Sequence, residues 1–182
     1  MINKTFLLVL FFFFSLIPLS FSALLKADPL NSTILFRINH NQGYTIGYFK
    51  DFVATLDVSE DQTKLQGANA SVKIGSIDTK NVLRDEGLKS SMFFDEGQFP
   101  EAKFESTGIE GDQMSGSLTI KGITKPMTLK VSLNQDSGKV FLTARGTFNR
   151  NDYGIKYNKE LGRHQKAIGD MVDLIIELRS AP

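Results

Sequence analysis

The stretch Gly116-Ser-Leu-Thr-Ile-Lys-Gly-Ile-Thr-Lys-Pro-Met-Thr-Leu-Lys-Val131 decides the fold class. Leu118 and Ile120 alternate with polar residues on one side of the interruption. Met127, Leu129, Val131 and Leu133 alternate on the other. Side chains of a strand point to opposite faces in turn, so each run predicts a strand with one apolar face, and the segment Gly122 to Pro126 predicts the reversal of a hairpin.

The same period recurs along most of the chain. Thr33–His40 sets Ile34, Phe36, Ile38 and His40 against Leu35, Arg37 and Asn39, and Phe52–Val58 aligns Phe52, Ala54, Leu56 and Val58. Further alternating runs lie at 70–74, 102–106, 117–120, 127–133, 140–148 and 171–178. About eight short strands separated by Gly, Asn and Asp predict an all-β antiparallel architecture. One segment breaks the period. Val82, Leu83, Leu88 and Met92 are spaced for a short helix, with Asp78 or Thr79 as its cap and Gly87 as its weak point. A single helix cannot cover a wide sheet, so a sheet closed on itself is the economical arrangement: an eight-stranded antiparallel barrel with one short helix.

With 182 residues, a net charge of +1 and no Cys, the chain has the size of one domain, no bulk charge to attract nucleic acid, and no thiol chemistry or disulfides. Residues 1–22 read as a cleaved secretory signal: Lys4, then an apolar run from Phe6 to Ile17, then Pro18, Ser20 and Ser22. The mature domain is expected to span 23–182, beginning at Ala23 or Leu24. The competing reading of the same run is an uncleaved membrane anchor.

The ordered motifs FRINH with GYFKDF, SIDTKNVLRDEGLKSSMFFDEGQFPEAKFES, GSLTIKGITKPMTL, FNRNDYGI and GDMVDLIIEL resemble the YceI-like family over nearly all of the mature chain. The resemblance implies a periplasmic protein with a lipocalin-like barrel, holding a polyisoprenoid or similar amphipathic lipid in an elongated pocket, and no established reaction. One position departs. Members often carry a His two residues after the Asp of the Arg-Asp pair, whereas Asp85 is followed here by Glu86-Gly87-Leu88.

The candidate lining of such a pocket is the apolar face of the strands: Phe36, Ile38, His40, Phe52, Phe104, Leu118, Ile120, Leu129, Val131, Leu142, Ala144, Gly146 and Phe148. Phe93 and Phe94 would wall its mouth. Ala144 and Gly146 are small where a filled core favours Leu or Phe, and are expected to leave room for a tail. His40 is read first as a hydrogen-bonded rim residue and second as a head-group ligand, and the Arg84–Asp85 pair first as a structural clamp. Arg150 in Asn149-Arg150-Asn151-Asp152 is read as capping carbonyls or pairing with a carboxylate.

No nucleophile elbow or metal spacing surrounds His40 or His164, so no catalytic residue, metal or cofactor is assigned beyond a bound polyisoprenoid or quinone-like lipid. A carrier that contacts the membrane transiently, with a homodimer as a compatible assembly, is the leading expectation. The alternatives are a lipid-modifying enzyme and a stress-related protein-interaction module on the same barrel.

Overall fold

The computed structural model describes residues 22–156 and 167–181. In chain order the strands are β1 (Ser22–Lys26), β2 (Thr33–His40), β3 (Gly43–Phe49), β4 (Phe52–Ser59), β5 (Leu65–Lys73), β6 (Ile77–Asp78), β7 (Glu101–Glu110), β8 (Gln113–Ile120), β9 (Ile123–Asp136), β10 (Lys139–Asn149) and β11 (Ile168–Arg179). Among the described residues one α-helix, α1 (Val82–Lys89), lies between β6 and β7. Short 3-10 turns at Pro29–Asn31, Ile74–Ser76 and Arg150–Tyr153 complete the described chain.

All strand neighbours are antiparallel and form one curled sheet in the order β1-β4-β5-β7-β8-β9-β10-β11-β2-β3-β6. The β1 edge of the sheet is joined by backbone bonds to the C-terminal end of β11. Ala27 bridges to Ser180, Asp28 N donates to Arg179 O at 2.7 Å and Ala181 N to Lys26 O at 2.8 Å. Near the other edge, Lys50 N donates to Ser76 O at 3.2 Å and Lys73 N to Asp51 O at 2.9 Å. The result is a lipocalin-like barrel.

The eight strands expected from alternation are all present, and three more accompany them. β6 is only two residues long, and β1 is masked in the sequence by the apolar run before it. β3 escapes the period because its inward positions are Thr45, Gly47 and Phe49, and the first two are not apolar. Gly47 is required by its neighbour: the Phe36 ring from β2 lies where any Cβ of residue 47 would stand.

The hairpin of the opening stretch is tighter than its sequence suggested. Ile120 pairs with Ile123, and the reversal is Lys121–Gly122, with φ of 53° and 72°. Positive φ at both central residues is the mirror-image turn that matches strand twist. Pro126 therefore lies inside β9, opposite Ser117. Counting from the closing pair, Ser117–Pro126 is a non-hydrogen-bonded pair, so the position's missing N–H faces the β10 side. There the β9–β10 register has already ended, at Lys130–Arg145. A proline costs the ladder nothing at that point.

α1 is capped by Asn81, whose side chain accepts from Arg84 N at 3.0 Å, rather than by Asp78 or Thr79. Thr79 is clamped instead. Its N–H and hydroxyl both donate to Asp85 Oδ1, at 2.9 and 2.6 Å, while Arg84 donates to its hydroxyl and carbonyl at 2.7 and 2.8 Å. The Arg84–Asp85 pair thus ties the helix to the chain leaving β6.

Candidate functional site

The barrel is filled at one end and hollow at the other. The filled end is built from Leu56, Val58, Ala68, Met114, Leu129, Val131, Val140, Leu142, Ala144 and Leu178, all buried, with Leu56, Val58, Leu129 and Val140 fully so. Toward the opposite end the same strands turn different residues onto an open space of about 490 Å³. β2 contributes Ile34, Phe36, Ile38 and His40, β5 Ala70 and Val72, β7 Ala102 and Phe104, β8 Leu118 and Ile120, and β11 Val172, Leu174 and Ile176. α1 closes part of the mouth with Gly87 and Leu88, followed by Phe93 and Phe94. A cavity of this size falls in the range of ligand pockets, and its lining is almost entirely hydrocarbon.

Polar groups reach it from the β2–β3 end, from α1, from β7 and from the turn after β10. His40 Nδ1 accepts from Gln42 N at 3.2 Å, so the neutral ring carries its proton on Nε2. Arg150, nearly fully buried, donates from Nε to Gly169 O at 2.8 Å and from Nη1 to Ile155 O at 2.6 Å, and its Nη2 lies 3.6 Å from Asp170 Oδ1. Burial pushes its pKa down, and the Asp170 carboxylate opposes that shift. The guanidinium fastens the start of β11 to the turn after β10, as a capping arginine. Beside it Tyr153 packs edge-on against Phe148 at 5.3 Å, and burial pushes its phenol up to about 12.

A model of the YceI-like domain family matches residues 25–180. The chain belongs to the YceI-like family. Protein YceI of Salmonella newport is 38% identical over 103 residues, which are 54% of this chain and 54% of that protein, so the chain spans about half the length of the curated relatives it matches. BcnA of Burkholderia cenocepacia superposes with a TM-score of 0.75 at 20% identity, over 85% of this chain and 99% of that one. A polyisoprenoid binding domain from Saccharophagus degradans, implicated in plant cell wall breakdown, superposes with a TM-score of 0.66 at 14% identity, over 88% and 100%. At these identities the structural matches speak to fold.

Within this YceI-like barrel the residues singled out from the sequence divide by depth. Phe36, Ile38, His40, Phe93, Phe94, Phe104, Leu118, Ile120 and Phe148 meet at the cavity. Leu129, Val131, Leu142 and Ala144 share the inward face but sit in the filled end, and Phe52 is packed into the core away from the cavity wall. The room expected at Gly146 is taken by neighbours: a Cβ there would stand 2.7 Å from Leu129 Cδ2 and 2.8 Å from Met127 Cε. The small residues beside the cavity are Ala70, Ala102, Ala167 and Gly87. Strand alternation gave Ala70 and Ala102 a face but not a level along the barrel, and Gly87 lies on α1, outside any strand pattern.

His164 lies outside the described residues, as do residues 1–21 of the expected signal. Among the described residues no three His, Asp or Glu side chains converge as a metal site, and no helix is long and apolar enough to cross a membrane.

Proposed function

We propose that this chain is an exported carrier that holds the tail of a long amphipathic lipid, of polyisoprenoid or quinone-like kind, in the hollow half of its barrel. The observation that carries the reading is the apolar cavity of about 490 Å³. Family membership and the polyisoprenoid binding domain among the fold relatives support it. Binding without turnover is the role proposed, because the arginines beside the cavity serve structure: Arg84 holds Thr79 and Arg150 holds backbone carbonyls.

Energetics favour exchange with a bilayer. Burying a forty-carbon tail from water at ~0.8 kcal/mol per CH₂ amounts to roughly 30 kcal/mol, beyond the affinity ceiling near ~20 kcal/mol. Membrane hydrocarbon is about as apolar as the cavity, so transfer between the two is close to neutral and reversible. The outer face of α1 presents Val82 and Leu83, 76% and 87% exposed, with Met92 just beyond it. Their place on the element that closes the cavity suits a transient contact with the membrane.

The test is to purify the protein from its native compartment without detergent, extract it, and identify the lipid by mass spectrometry, with N-terminal sequencing of the same material. A chemically unchanged prenyl lipid and an N-terminus at Ala23 or Leu24 are expected. Protein free of lipid would refute the carrier, a modified lipid would point to an enzyme, and an N-terminus at Met1 would point to an anchor.

A further inference from the structure

Resting on the carrier reading, we infer that the β2–β3 end of the cavity is a head-group subsite for a neutral oxygen function, a carbonyl or hydroxyl, with Thr45 and His40 as its specificity residues. Thr45 is 8% exposed and lines the cavity, yet its hydroxyl has no hydrogen-bond partner among the described residues. A hydroxyl set against hydrocarbon without a partner forgoes the hydrogen bonds it makes in water. One that opens onto an otherwise hydrocarbon space is placed to be satisfied by what enters that space.

The strand register sets a second donor beside it. Thr45 pairs with Ile38 and Gly43 with His40, so His40 and Thr45 are diagonal neighbours on the inward face of one hairpin. Such positions lie ~7–8 Å apart, within reach of a small group held between them. The His40 tautomer set by Gln42 N makes Nε2–H a donor. One level deeper, Phe36 and Phe49 stand with ring centroids 5.9 Å apart, an apolar floor beneath the polar pair.

Charge argues against an anionic head group. Among the described residues, the cations beside the cavity are Arg84, Lys103 and Arg150. Arg84 is engaged with Thr79, Lys103 with Glu101 at 3.0 Å, and Arg150 with Gly169, Ile155 and Asp170. A phosphate or diphosphate needs an uncommitted guanidinium or ammonium when it leaves water, while a quinone carbonyl or an alcohol needs only a hydrogen bond.

The experiment uses delipidated full-length mature protein and four probes sharing one isoprenoid tail: a benzoquinone, the free alcohol, the monophosphate and the unsubstituted hydrocarbon, each partitioned from detergent micelles. Wild type is expected to retain quinone and alcohol about fivefold better than hydrocarbon, the worth of one net hydrogen bond, with no preference for phosphate. Thr45→Val should erase that preference while holding hydrocarbon within about twofold of wild type, and Thr45→Ser should restore it. A preference for the phosphate, or no ranking in wild type, overturns the subsite while leaving the carrier standing. So does a Thr45→Val loss shared equally by quinone and hydrocarbon. Failure of wild type to retain any of the four, hydrocarbon included, overturns the carrier reading itself. The wild-type ranking stands as a test even if Thr45→Val does not fold.

Discussion

Ala70→Phe separates a tail-binding cavity from an incidental void. Ala70 lines the cavity from β5, between Ala54 of β4 and Phe104 of β7. The substitution adds six ring carbons on the open side of the wall. If a lipid tail occupies that space, about six of its carbons are expelled, and at ~0.8 kcal/mol per CH₂ the loss is roughly 5 kcal/mol, on the order of a thousandfold in retention. A tail that slides along the cavity recovers part of this, so at least a ~tenfold loss is expected. The fold should survive, because a ring entering empty apolar space gains contacts, and stability should stay within ~1 kcal/mol of wild type. Ala144→Phe is the matched control. At 1% exposure in the filled end it should overpack and destabilise by ~1–3 kcal/mol or more. Prenyl-lipid transfer from vesicles reports occupancy, and urea unfolding followed by circular dichroism reports stability. A folded Ala70→Phe protein that takes up lipid at the wild-type level would refute the assignment of the cavity.

Three further outcomes follow from local geometry. Gly87→Ala should stabilise by up to ~1 kcal/mol in urea, since α1 holds residue 87 in helical conformation and a Cβ there meets no atom within 4 Å; a destabilised variant would show that α1 needs its weak point. Asp85→Ala strands the buried Thr79 N–H and should cost ~2–3 kcal/mol in the same assay; an unchanged midpoint would remove the clamp from the account. Acid should weaken the fold in a defined window. Hydrogen bonds from Lys50 and Lys80 depress the Asp78 pKa, Lys73 and Lys103 hold Glu101 at about 2, and Ser59 and Thr63 hold Asp61 at about 2. Carboxylates with depressed folded pKa values contribute stability above their unfolded values near ~4, and that contribution is lost as pH falls through the folded ones. Urea midpoints should be level between pH 7 and 5 and decline below ~4, the decline softened by salt because the groups are exposed; a midpoint that rises on acidification would contradict this.

Much of the barrel was legible in the chain because strand periodicity is a local property. Leu118, Ile120, Leu129 and Val131 could be assigned to one face from their neighbours alone, and all four are buried. The motifs from FRINH to GDMVDLIIEL likewise carried the family. Tertiary structure decided how far along the barrel each inward residue lies. Leu118 and Leu129 share a face, yet one lines the cavity and the other fills the closed end, because register between antiparallel strands is set by non-local pairing and by turns such as Lys121–Gly122. The same cause hid Thr45. On β3 it reads as a polar break in the pattern, and only the pairing of β3 with β2 sets it on the cavity wall beside His40.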